Sequence, residues 1–229
     1  MTLLRFALLA LLAPLAFGAA CGGDDGGGVP SGPCDEVLKT GIVAQQTGVS
    51  ADSFDCDVIA ASTKYNEPDP MLFKAVMYGE SRFDYKSIGC TNFPCGMPAG
   101  WSADESGCLG LMQIVPACGG TPGNIGLRSD GHPNMTIDMS SPDFATSIFK
   151  PSINIEVGIS GLAGNRDEVK MLYPGCTEDQ YTLMALSNYA SHGSAKGCTT
   201  VNTSYLDYML PAYFQYATAA GYPAHDYNY

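Results

Sequence analysis

Charge is scarce in this chain, and positive charge scarcer still. Only 15% of the 229 residues are charged, and 11 Lys+Arg stand against 23 Asp+Glu, a formal net charge of −12. A surface of that sign repels phosphate backbones, so nucleic acid is excluded as a partner. Histidine occurs only at His132, His192 and His225, too widely spread to read as a ligand set, and Cys90 and Cys95 lack zinc-like company. No metal and no cofactor is therefore expected. There is no Gly-x-Ser-x-Gly, the strand-to-helix elbow that presents the serine of many hydrolases. Strict alternation of β-branched residues is missing too, and with it the signal for a β-sandwich or barrel. Beyond residue 20 no apolar run approaches the ~20 residues that a spanning helix needs.

Cysteine, by contrast, is abundant. Nine cysteines point to an oxidising compartment and exclude a cytosolic housekeeping role. Residues 1–20 agree: Arg5 supplies a positive start, Phe6 to Phe17 an apolar stretch, and Gly18-Ala19-Ala20 the small residues before a cleavage site. They read as an export signal. Cys21 follows directly and resembles the acylated cysteine of a bacterial lipobox, although Gly18 stands where Leu, Val or Ile is usual. Removing Cys21 leaves eight cysteines, enough for four disulfides whose pairing the sequence does not give. Plain secretion, leaving one odd thiol, is the alternative. Residues 21–33 form a Gly/Pro/Asp-rich tether, and 34–229 one globular domain, 45% of the whole chain being hydrophobic.

Apolar spacing predicts helices over 35–46, 55–65, 70–83, 153–162, 177–191 and 204–219, the last bent at Pro211. Asp69 and Pro70 make a helix start, and Thr177 with Gln180 a capping box. Two long irregular stretches, 84–109 and 118–141, call for disulfide staples. The domain is mainly α-helical.

Glu80 draws attention first. Phe73, Val76 and Met77 precede it by seven, four and three positions, so the carboxylate shares their apolar stripe. Desolvation and the negative helix end both raise a carboxyl's pKa, as a general acid requires. Spacing alone equally allows a glutamate that swings out to solvent at a fraying helix end.

The residues around Glu80 carry a resemblance. Asp69 to Val76 followed by Glu80-Ser81-Arg82-Phe83 resembles the catalytic helix of the soluble lytic transglycosylase (SLT) family. Gly110-Leu111-Met112-Gln113 is similar to its Gly-Leu-Met-Gln block, Asn154 to Gly158 to its Asn-Ile-x-x-Gly block, and Ala185 to Ala190 to its Ala-Tyr-Asn-Ala-Gly helix. The resemblance implies a lysozyme-like domain that cleaves the MurNAc–GlcNAc bond of peptidoglycan glycan strands, leaving 1,6-anhydro ends. Glu80 would be the single acid and then base. Ser81 would lie beside it, Gly110 would allow close sugar approach, and Met112 and Gln113 would offer an apolar wall and amide hydrogen bonds. Tyr189 would orient Glu80 through its hydroxyl.

Two departures stand out. The family's Tyr-Asn order is replaced by Asn188-Tyr189-Ala190, so either Ala190 takes the asparagine's place or Asn188 serves in a shifted register. The segment 82–109 is also longer than usual and carries Trp101, a sugar platform or a packing residue. The C-terminal tyrosines Tyr205, Tyr208, Tyr213, Tyr216 and Tyr222 read as core and rim packing. A hydrolase would need a second carboxylate, with Asp84, Asp104 and Glu105 as candidates; an inactive, lipid-anchored glycan binder is the non-enzymatic alternative. The expected setting is the periplasmic face of the outer membrane, held by lipidated Cys21, or else secretion, with the protein a monomer.

Overall fold

A computed structural model of the chain describes residues 37–89, 108–114, 149–190 and 194–227. All lie within one compact unit, residues 31–229. Among the described residues five helices carry it: α1 (Asp55–Lys64), α2 (Pro70–Ser81), α3 (Pro151–Leu172), α4 (Glu178–Ala190) and α5 (Thr203–Ala220). Two short strands, β1 (Ile88–Gly89) and β2 (Cys108–Leu109), pair antiparallel between α2 and α3. No helix among the described residues is long and apolar enough to cross a membrane.

Helix α2 is the centre. All seven residues from Met71 to Met77 are buried, so the helix is enclosed on every side rather than on one stripe. It packs against α1 and α5, while α3 lies on α1 and α4, and α4 also meets α5. Lys74, fully buried in this apolar run, is satisfied threefold. Its ammonium donates to the Leu38 carbonyl at 2.6 Å and pairs with Asp52 and Asp55 at 2.8 Å each. Helix α2 ends where Arg82 (φ 56°) and Phe83 (φ 62°) both turn left-handed, a conformation costing a non-glycine residue roughly 1–2 kcal/mol. Burial of the Phe83 ring and an aromatic cluster with Tyr78 and Tyr216 offset that cost.

Several sequence expectations are corrected. Residues 37–50 are not helical: the chain turns at Gly41 and Gly48, both at positive φ, and Val43 bridges Ser50. The Asp52 carboxylate draws this turn in by accepting the Thr40 and Gly41 N–H groups at 2.9 and 2.7 Å. Helix α2 stops at Ser81, before Phe83. Asp69 precedes α2 without capping it by its side chain, because its Oδ2 accepts from the hydroxyls of Tyr213 (2.7 Å) and Tyr227 (3.0 Å). Helix α3 runs to Leu172 rather than Leu162: Gly164 and Asn165 are buried in its interior, and Arg166 reaches back to Glu67 at 2.9 Å. The Thr177–Gln180 capping box forms in both directions, at 2.9 and 3.2 Å. Of the expected disulfides, Cys176–Cys198 is seen, and Cys108 is also disulfide-bonded. Residues 1–33, Trp101, Asp104 and Glu105 lie outside the described residues.

Candidate active site

Glu80 sits in the last turn of α2, on the helical stripe that carries the buried Phe73, Val76 and Met77. Burial pushes its carboxyl above the usual carboxylate value, while a hydrogen bond from Tyr205 and the Arg82 guanidinium draw it part of the way back. The net effect is a carboxyl held protonated further toward neutral pH than a surface glutamate, which is what an acid catalyst needs. Arg82 closes the helix end. Its guanidinium donates to the Tyr78 and Gly79 carbonyls and stacks on the rings of Tyr78 and Tyr208, at 4.2 and 4.8 Å from the centroids.

The hydroxyl that reaches Glu80 belongs to Tyr205, which donates to Oε1 at 2.6 Å. This corrects two sequence expectations at once. Tyr205 is not mere packing, and Tyr189 does not orient Glu80 by its hydroxyl: it donates instead to the Met112 carbonyl at 2.5 Å. The Glu80 charge adds to burial in raising the Tyr189 pKa. Of these two tyrosines from two helices, one is bonded to the carboxyl and the other to the loop that holds Met112. Nothing local in the sequence marks Tyr205, which is 125 residues from its partner.

The loop 109–114 is built from inside. At Gly110 (φ 71°) a Cβ would lie 2.3 Å from the Asn154 amide nitrogen. The glycine thereby permits a close approach of Asn154 to the loop backbone. Asn154 clamps the loop in both directions, accepting the Met112 N–H at 2.7 Å and donating to the Leu109 carbonyl at 2.9 Å. Met112 is fully buried, its side chain lying where a Cβ on Gly158 would meet it at 2.6–2.8 Å. Gln113, at φ 48°, spends its amide N–H on the Gly110 carbonyl at 2.8 Å. Its carbonyl oxygen covers Gly89, where a Cβ would fall at 2.2 Å. Met112 and the Gln113 amide thus hold the loop, their polar contacts running to Asn154, Gly110 and Ser87.

The remaining candidates divide similarly. Ser81 is only 7% exposed and donates to the Met77 carbonyl at 3.1 Å, so its hydroxyl ties the helix end beneath Glu80. Asn188 is buried and accepts the Ala195 N–H at 3.0 Å, anchoring the segment after α4. Asp84 accepts the Lys86 N–H at 3.0 Å in its own turn. Glu80 alone, among these residues, presents a carboxyl with raised pKa backed by a phenol.

A family model described as Transglycosylase SLT domain matches residues 57–191, more than half of the chain. No curated protein matches the chain significantly.

Proposed function

The chain belongs to the transglycosylase SLT domain family, and from that premise we propose that it cleaves the MurNAc–GlcNAc β-1,4 bond of peptidoglycan without water, using Glu80 as the single acid and base. The fold is mainly helical and of the family's lysozyme-like type. The observation that carries the reading is the half-buried Glu80 carboxyl, raised in pKa by its burial and held by the Tyr205 hydroxyl.

In the first step the Glu80 carboxyl gives its proton to the glycosidic oxygen as the C1–O bond breaks and positive charge grows on the sugar. In the second, the C6 hydroxyl of the same sugar attacks C1 and passes its proton to the Glu80 carboxylate. One bond is exchanged for another, no water is consumed, and Glu80 returns to its starting state. Tyr205 serves the interval between the steps, because its hydroxyl stabilises the carboxylate. General acid–base catalysis of this kind contributes about 10²–10⁴-fold, and positioning supplies much of the rest. The loop clamped by Asn154 and Tyr189 gives the site a rigid second wall.

Export, with Cys21 as lipid anchor and residues 21–33 as tether, would place the domain against the peptidoglycan from the outer membrane. Incorporation of labelled palmitate, lost in Cys21→Ser, tests that anchor. Digestion of purified peptidoglycan with the disulfide-formed protein, followed by mass spectrometry of the muropeptides, tests the reaction. Ends lighter by one water, absent with Glu80→Gln, are the expected result. Reducing ends that depend on Glu80 would mean a hydrolase and turn attention to Asp104 and Glu105. No cleavage by folded protein would leave a glycan-binding role.

A further inference from the structure

We infer that Asn202 is a positioning residue for this reaction: by capping α5 and docking on Ser187, it holds the Tyr205 hydroxyl on Glu80. The inference rests on the reading of Glu80 as the acid.

Tyr205 is gripped at both ends. Its hydroxyl is on Glu80, and its backbone N–H is accepted by the Asn202 side chain at 3.3 Å, the one side-chain cap seen at the start of α5. Asn202 is in turn fixed from behind, since its own N–H donates to Ser187 Oγ at 2.6 Å. Ser187 is fully buried in α4, and its hydroxyl is fully used. Ser194 spends its only proton on the Ser187 carbonyl at 2.8 Å, so in the 2.6 Å contact between the two hydroxyls Ser187 must be the donor. That leaves the Ser187 oxygen to accept from Asn202, and every hydrogen in the chain has a place.

The segment from 194 to 202 is pinned at further points. Ala195 donates to Asn188, and Cys198 is bonded to Cys176 at the turn before α4. Ser187 lies near the end of α4, so that helix end supports Tyr205 through Asn202. A short hydrogen bond weakens steeply with misalignment. Fraying the first turn of α5 by removing its cap therefore detaches the phenol from the carboxyl. Arg82 from α2, Tyr189 from α4 and Tyr205 from α5 are the titratable or charged groups that face Glu80 among the described residues. Of these Tyr205 alone depends on Asn202.

The test reads Glu80 directly. Full chain produced by export, with disulfides formed and glutamate labelled at the carboxyl carbon, is titrated by carbon NMR, Glu80→Gln identifying the signal. Tyr205→Phe should move the midpoint of Glu80 up by about one pH unit, as loss of a hydrogen bond to a charged group implies. Asn202→Ala should move it up by at least half as much, with little further change when combined with Tyr205→Phe. Asn202→Ser, which keeps a capping oxygen, should restore the native midpoint. Should Asn202→Ala unfold, the Ser187→Ala and Asn202→Ser midpoints decide: a rise with the first and none with the second supports the inference. A midpoint that moves with Tyr205→Phe but stays native in Asn202→Ala or Ser187→Ala would overturn it, as would one unmoved by Tyr205→Phe. Because the titration needs no turnover, shifts in a protein that cleaves nothing would fault the proposed reaction and leave the positioning intact.

Discussion

Tyr205 and Glu80, 125 residues apart in sequence, share a 2.6 Å hydrogen bond in which the phenol donates to the carboxyl oxygen. Tyr189, from α4, gives its proton to the Met112 carbonyl instead. The two phenols divide the work. One tunes and aims the acid, and the other fixes the loop of residues 109–114.

Removing each hydroxyl should therefore have different consequences. Tyr205→Phe is expected to lower kcat by about 10–100-fold, the worth of a hydrogen bond to a charged group. It should also shift the alkaline limb of the pH–rate profile upward, since that bond lowers the pKa of Glu80. Tyr189→Phe should leave the limb nearly in place and cost stability instead, about 1–3 kcal/mol for the unpaired Met112 carbonyl. Identical limbs in the two variants, in a steady-state pH series on peptidoglycan, would contradict this division.

Lys74 carries a second prediction. It anchors the segment 37–52, through Asp52 and the Leu38 carbonyl, and the start of α1, through Asp55, to α2. Lys74→Met leaves two carboxylates without their shared cation, which should cost about 3–5 kcal/mol in denaturant unfolding. Burial alone would raise Asp52, but the bonds from Lys74, Thr40 and Gly41 hold it below its usual value. Its stabilising contribution is thus present above the unfolded-state pKa and lost as pH falls through the lower folded one. That acid-side loss should shrink in Lys74→Met, where only the Thr40 and Gly41 bonds still favour the Asp52 carboxylate, and Asp52→Asn in the same background should recover stability at neutral pH.

What the sequence disclosed was mostly local. Pro70, the stripe from Phe73 to Glu80 and the Thr177–Gln180 box are near-neighbour signals, and each forms the helix start or face it implies. The segment 35–46 misled because its apolar spacing competes with Gly41 and with Asp52, a carboxylate a dozen residues away that collects its N–H groups. Asp69 looked like a cap, yet tyrosines from α5 and the C-terminal tail claim its side chain. The Gly-Leu-Met-Gln block was recognisable by identity but not by role: its contacts run to Asn154 and Gly158 on α3, which no periodicity connects to it. Tyr205 stayed hidden for the same reason, as a tyrosine among many in an amphipathic segment.

Gly110 and Asn154 give a third test. An alanine at Gly110 takes on the strain of positive φ and drives the Asn154 amide from its place, exposing the Leu109 carbonyl and Met112 N–H to a dry interior. Gly110→Ala should destabilise by about 2–4 kcal/mol. Asn154→Ala loses the same two hydrogen bonds, so the double variant should cost well under the sum. Strict additivity in equilibrium unfolding would mean that the two residues do not act as one clamp.

Glu67 and Arg166 join α3 to the turn before α2, and the pH dependence that Glu67 brings runs opposite to that of Asp52. The pair meets at 2.9 Å with side chains only 8% and 12% exposed. Burial raises Glu67 to about 7, the Arg166 charge offsetting this only in part and Asp167 adding to it. Between the ordinary glutamate value and about 7 the folded state keeps a proton that the unfolded chain has released. Stability from this group is therefore full below the unfolded value and falls as pH rises through the folded one. The loss should be at most about 3 kcal/mol for a shift of this size. Glu67→Gln cannot titrate, so its unfolding free energy should change less between pH 5 and 8 than that of the native chain, the two curves converging in shape below about pH 4. Native and Glu67→Gln curves of equal slope across that interval would place the titrating group elsewhere, with Asp57, also raised by burial, the next to replace.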